Sequence, residues 1–554
     1  MKKIRPIALL LCLILLPALT SAQSDTNGKS QLDVRRAVDI FRTVLIGANN
    51  YYVDTIDVQK VTQVGINAML AQLDPYTEYM PEVERDNFTF MTTGQYGGIG
   101  AYIQLVDSIV YVQDPMPGSP AERAGLKMGD AFLEINGESV VPGTPATVSG
   151  KLKGPIGTTV KVKLKKLGIE EPVEVTITRD NVKVDQVVHS AIYRDSIGFI
   201  RLSSFTDKSY DNVKDAFDNL NKTGKLKRLI LDLRSNTGGV MDQAIDIIGM
   251  FVPKGTKVLY TEGRMPETSK EYFTESDPIA LNMPLAVLIN GSSASASEIV
   301  AGALQDLDRA VLIGSKSFGK GLVQTTLPAP NDGILKVTIS RYFIPSGRCI
   351  QQLDYSHRNP DGSVAAVPDS LTKVFYTANG RPVRDGGGIR PDIEVKDESL
   401  SLLVFQLMNQ GEIFQFTNQL YIERPNINNV GDVKITDEDY ERFIAYLEEK
   451  KFKPSEMSLR ALDQLKELAE FEGFEEQSKE AFEALRATLT PNLRKDLAAS
   501  KEQTKNMMRG LLAQHYFGAK GQYQVTLEKD PTANLALDLL QDDQKLIEIL
   551  SKKE

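Results

Sequence analysis

Three stretches carry the side chains best suited to chemistry. The first is "NGSSASASE", Asn290–Glu298, where an apolar run "PLAVLIN" opens into small residues ahead of an apolar, helix-like segment. A serine at such a strand-to-helix junction stands clear of the sheet, and amides at the helix start can stabilise an oxyanion. The same letters have a structural reading, because Ser295 and Glu298 form the S-x-x-E of a capping box. The second stretch is "LDLRSNTGG", Leu231–Gly239, another apolar run opening into glycines. Glycine lets backbone N–H groups come close to a reacting carbonyl oxygen. The third is "GSKSFGKGLVQTT", in which Lys320 stands between two glycines. A lysine serves as general base only when its amine is neutral, which burial in an uncharged setting favours. The neighbouring "AVLIG" and "GLVQ" are uncharged.

These groups need a scaffold that brings strand ends together. Across 183–396, apolar runs such as "SIGFIRLSSF", "LKRLILDL" and "PLAVLIN" alternate with helical patterns such as "YDNVKDAFDNLNKTG" and "ASEIVAGALQDL". That alternation predicts a layered α/β core. Residues 31–93 carry apolar positions at helical spacing and predict a small helical domain, led in by a polar, disordered stretch, 24–30. From 397 to 554 the pattern is helical and charged, with no function apparent in it.

Residues 94–182 differ again, with short alternating runs broken by Gly and Pro. The series "YGGIGA", "SPAERAGL", "GDAFLEING" resembles a PDZ domain of the bacterial protease type. The resemblance implies that Gly97, Gly98, Ile99 and Gly100 bind a peptide's terminal carboxylate through backbone N–H groups while the peptide adds a strand to the sheet edge.

The chain has 554 residues, 42% hydrophobic and 25% charged, the composition of a multidomain globular protein. A net charge of -9 argues against a nucleic-acid partner. Residues 1–22 combine Lys2, Lys3 and Arg5 with the apolar "IALLLCLILL" and end in small residues, which predicts an export signal cut after Ala22. Cys12 leaves with that signal, so Cys349 stands alone and is read as a half-buried strand residue. His189, His357 and His515 are scattered and make no metal-ligand spacing.

Taken together, in this order, the motifs resemble the carboxyl-terminal processing, or tail-specific, serine proteases over roughly residues 35–396. The resemblance implies an α/β multidomain fold: an N-terminal helical domain, a β-rich α+β PDZ domain, a layered α/β protease core and a C-terminal helical extension. It implies that Ser295 is the nucleophile, Lys320 the base and Gln324 the residue orienting the lysine. The oxyanion donors would be the N–H groups of Ala296 and of Gly238 or Gly239. Ser293 and Ser297 are rivals that only the family register sets aside, and Thr237 stands where many relatives carry Pro. The implied protein is a periplasmic endopeptidase, membrane-associated if its signal is retained, acting on proteins or peptides with free C-termini and needing no metal or organic cofactor. A homodimer through the terminal helices and a partner adaptor protein are compatible with it. The competing class is a PDZ adaptor on an inactive protease fold. A non-peptide hydrolase is disfavoured by the missing GxSxG.

Overall fold

Continuous apolar runs such as "RLILDL" and "PLAVLI" have no polar face to give to water, so both faces must be buried. In the computed structural model, which describes residues 24–359, 361–396 and 399–551, they form the centre of a six-stranded sheet. Its strands are β1 (Val187–Tyr193), β2 (Ile197–Leu202), β3 (Arg228–Asp232), β4 (Leu285–Ile289), β5 (Val311–Gly314) and β6 (Ile393–Glu394). Their spatial order is their chain order. The first pair is antiparallel and the rest are parallel, with Ile230 beside Ala286 and Leu288 beside Ile313.

Successive side chains of a strand point to opposite faces, and each face has its own cover. Three helices, α1 (Ser209–Asn221), α2 (Met241–Gly249) and α3 (Ala296–Asp306), bring Phe217, Ile248 and Val300 into one core with Leu229, Leu231 and Val287. The opposite face, with Ile230, Leu288 and Ile313, is covered from the far end of the chain. There α4 (Lys501–Leu527), broken at Gly518 (φ 63°, ψ -165°), leads into α5 (Pro531–Leu539) and α6 (Asp543–Leu550). Ala536, Leu540 and Leu546 close that second core. The helical tail, to which the sequence pattern assigns no role, thus supplies the third layer, over the second face of the sheet. Elsewhere in the tail, Phe416, Tyr440 and Phe443 join Leu407, Leu497 and Leu512 in a separate core.

Residues 101–178 form an antiparallel sheet in which Ala101–Val106 is an edge strand, followed by Ile109–Pro115, Ala131–Ile135, Thr159–Lys165 and Val173–Thr178. Short helices Pro120–Arg123 and Pro145–Leu152 complete it, each with Pro at its first turn and a Ser or Thr cap, Ser119 and Thr144.

The chain divides into two compact units, Met1–Glu82 with Gln324–Thr338 and the remainder. Everything above lies in the larger one. In the smaller, helices Ser24–Tyr51 and Val58–Leu70 precede Glu78–Met80, which pairs antiparallel with a later strand, Met80 facing Ile334. The first helix begins at Ser24, so the polar stretch 24–30 expected to be disordered continues the helix, since extending a helix costs far less than starting one. The predicted signal, 1–22 with Cys12, lies outside the described residues. Among the described residues no helix is long and apolar enough to cross a membrane. Cys349 is half-buried as expected but lies beyond the end of the strand Ile334–Phe343, where Pro345 and Gly347 have already turned the chain.

Candidate active site

The end of β4 runs into Asn290–Ala294 and then α3, and this junction sorts its serines. Ser293 Oγ donates to the Leu233 carbonyl at 2.8 Å, and Ser297 Oγ donates to the Asn236 carbonyl at 2.8 Å. Both residues are 0% exposed. Ser292 lies in the exposed turn, its amide donating to Asn290 Oδ1 at 3.2 Å. Ser295 alone is half-buried, at the helix N-cap, with φ 56° and ψ -115°. That backbone lies outside the ordinary basins of a non-glycine residue and costs on the order of 1–3 kcal/mol. It persists because its neighbours over-determine it. The Ala294 amide donates to the Asn236 carbonyl at 3.0 Å, and the Ser295 amide donates to Glu298 Oε2 at 2.9 Å. Ser295 and Glu298 make a capping box, in which the Glu298 carboxylate takes the Ser295 amide and the Glu298 amide also reaches the Ser295 carbonyl at 2.8 Å.

Beside this junction runs the glycine loop after β3. Gly238 has φ 95°, and a Cβ there would stand 2.6 Å from the Ala294 carbonyl and 2.8 Å from both Ala296 N and Ser295 Cβ. Gly239 has φ 144°, and its Cβ would fall 1.9 Å from the Phe205 carbonyl. Only glycine permits both approaches. The Gly238 N–H donates to Asn236 Oδ1 at 2.9 Å, so of the expected donors it is the one engaged in this conformation. Ala296 is the first residue of α3, and a first-turn amide has no acceptor within its own helix.

The loop is rooted on charge. Asp232, 0% exposed at the end of β3, accepts from Arg234 Nε at 2.9 Å, Arg234 Nη2 at 2.8 Å and Arg201 Nη1 at 3.2 Å. Burial by itself would raise its pKa, but the Arg234 and then Arg201 charges overcome that and hold it below the usual carboxylate range.

Lys320 meets the Ser295 backbone through two shared partners. Glu298 Oε2 accepts from the amides of both Ser295 and Lys320, each at 2.9 Å. Glu298 Oε1 accepts from the Gly319 amide at 2.7 Å and the Ser317 hydroxyl at 2.5 Å. Tyr342 Oη donates to the Lys320 carbonyl at 2.8 Å and lies 3.4 Å from the Ser295 carbonyl. Burial pushes the Glu298 carboxyl up to about 7, opposed by its bonds from Ser317 and from the Lys320, Gly319 and Ser295 amides. Lys320 itself is half-buried.

Residues 196–364 match "Peptidase family S41", 111–166 match "PDZ domain", and 403–540 match "Probable PDZ-protease, C-terminal helical domain". A carboxy-terminal-processing protease of Bartonella bacilliformis is 37% identical over 336 residues, 60% of this chain and 76% of that one. The chain belongs to the carboxy-terminal processing protease family. The carboxy-terminal processing protease CtpA of Bacillus subtilis is 34% identical over 305 residues, 55% of this chain and 64% of its own. Among solved structures, the photosystem II D1 C-terminal processing protease is 26% identical, with a TM-score of 0.35, covering 65% of this chain and 93% of that one.

Two further sets of site residues are expected in this C-terminal processing protease, Gln324 and the PDZ loop. Gln324 lies in the smaller unit, where its Nε2 donates to Thr338 Oγ1 at 3.1 Å. Of the four PDZ-loop residues, Gly97 and Gly98 stand in a strand paired with Asn181 and Asp180. Ile99 and Gly100 make the turn proper, their carbonyls accepting from the Ala121 amide at 2.7 Å and the Met116 amide at 2.9 Å. The motifs did not single out Asp232, Arg234, Asn236 or Tyr342 as functional. The first three lie inside the quoted "LDLRSNTGG", and a charged pair at the end of an otherwise apolar strand was the available signal. Glu298 was legible only as a helix cap.

Proposed function

We propose that the protein is an exported serine endopeptidase that recognises substrates by their C-terminal tail and cleaves them with Ser295 and Lys320. The observation that carries the assignment is the sorting of the serines: Ser293 and Ser297 spend their hydroxyls on buried carbonyls, while Ser295 is half-buried and shares the Glu298 carboxylate with Lys320. In this reading neutral Lys320 takes the Ser295 proton as Oγ attacks the peptide carbonyl. The Ala296 and Gly239 amides face the oxyanion, with Gly238 joining them if its bond to Asn236 is exchanged. Lys320 then protonates the leaving amine, and water releases the acyl group. Gln324 orients the lysine. The edge strand Ala101–Val106 receives the substrate tail by strand addition, its carboxylate meeting the turn at Ile99 and Gly100. The N-terminal segment 1–22 directs export to the periplasm.

The test is turnover of one unstructured peptide, with a free or an amidated C-terminus, by the wild type and by Ser295→Ala. Faster cleavage of the free-carboxylate peptide, abolished by Ser295→Ala with tail binding retained, is the expected result. Unchanged cleavage by Ser295→Ala would refute the dyad, and equal turnover of both peptides would refute tail recognition. Tail binding without turnover in the wild type would leave the adaptor reading.

A further inference from the structure

The glycine loop is braced from two sides, and only one of them belongs to the protease core. On the core side, Ser293, Ala294 and Ser297 bond the carbonyls of Leu233 and Asn236. Asn290 Oδ1 accepts from the Ser235 amide at 2.8 Å. On the other side, Arg234 reaches past Asp232 and places Nη1 2.7 Å from Asp530 Oδ2. Arg234 and Asp530 side chains are 13% and 14% exposed, which shields the pair from solvent screening. Asp530 is also the N-cap of α5, its Oδ1 accepting from the Ala533 amide at 2.9 Å. One carboxylate therefore starts the helix that covers the sheet and holds the root of the loop that faces Ser295. The contact borders a cavity of about 520 Å³ lined also by Asn290, Lys529 and Val525, so packing does not back it up on that side.

We propose that Asp530 is a positioning residue for the catalytic loop: the C-terminal helical region sets the 234–239 backbone by completing the Arg234 guanidinium. This rests on the protease reading above. Asp232 alone satisfies two of the three Arg234 nitrogens, Nε and Nη2. Asp530 satisfies the third, which fixes the fork against rocking about its Asp232 bonds. The same tail makes a chemically similar bridge at the opposite end of β3, where Arg228 Nη2 lies 2.8 Å from Asp543 Oδ1. Asp543 has no bond to the catalytic loop to transmit, so it is a built-in control.

The experiment compares Asp530→Asn and Asp543→Asn in the full chain. Asparagine caps a helix as well as aspartate does, so α5 keeps its start while Arg234 loses the carboxylate charge that faces it. Two readouts are taken: hydrogen exchange of the 235–239 amides, and kcat and KM on a free-carboxylate peptide. Asp530→Asn should speed loop exchange about tenfold. It should lower kcat about tenfold with KM within about twofold, because a charge-assisted bond is worth at least that factor. Asp543→Asn should leave both at wild-type values. Loop exchange unchanged in Asp530→Asn, or altered equally by both substitutions, would overturn the proposal whether or not the enzyme turns over. A wild type that fails to cleave the peptide would instead defeat the protease reading, and loop exchange would still judge the brace.

Discussion

Glu298, in the first turn of α3, and Asp232, at the end of β3, are both 0% exposed, and their carboxyls shift in opposite directions. Glu298 is held by three amides and a hydroxyl, and burial still raises it to about 7. Asp232 is held by two guanidinium groups, and it stays ionised at the same depth. Neutral dipoles fix where a carboxylate sits without fully offsetting the cost of burying its charge, whereas paired cations do both. The Ser295 junction is therefore tied by geometry and the glycine loop by charge.

The comparison can be broken first on the charged side. Asp232→Asn leaves Arg201 and Arg234 without their shared anion and should cost about 3–5 kcal/mol in urea unfolding. A wild-type midpoint would show that the arginines do not depend on it. Glu298→Gln turns one acceptor oxygen into an NH2 facing two donors, whichever way the amide is placed. The orphaned donors should cost about 1–3 kcal/mol and at least about tenfold in kcat. If stability and turnover both survive, Glu298 is a cap and nothing more.

The opposite shifts also predict opposite pH windows. Glu298 binds a proton more tightly folded than unfolded, so its contribution is fully present below 4.5 and is lost as pH rises through about 7. Relative to Glu298→Gln, the wild type should lose about 2 kcal/mol of stability between pH 5 and pH 7. Asp232 is depressed, so its contribution is present above 3.8 and is lost as pH falls through its lower folded pKa. Parallel unfolding curves for wild type and Glu298→Gln across pH 5 to 7 would contradict the raised carboxyl. The smallest effect belongs to Ser297→Ala, which removes one buried bond to Asn236 and should cost about 1 kcal/mol while cleavage stays within about tenfold of wild type. Loss of all cleavage there would reopen the choice of nucleophile.

Much of the architecture was legible because it is written locally. Continuous apolar runs predict strands buried on both faces, and the helix after "SASAS" follows from its cap and its apolar spacing. The cover of the second face was not legible. The helices α5 and α6 lie more than a hundred residues beyond β6, and an amphipathic helix does not name the surface it will meet. Arg234 and Asp232 were visible as residues and opaque as a pair with Asp530, since charge pairing over 296 positions leaves no spacing to read. The strand assignment for Cys349 failed on a local point, the turn at Pro345–Gly347.

By itself the sequence determined the order of domains, the strand-to-helix junction and the presence there of four serines, a glutamate and, further on, a lysine. Which of those hydroxyls are tied up in buried bonds was decided only by the tertiary structure. Ser293 and Ser297 are retired by carbonyls 60 and 61 positions away, on the glycine loop of the neighbouring strand. A hydroxyl's availability depends on which acceptors the fold brings to it, and that is settled by strand pairing rather than by the residues beside it.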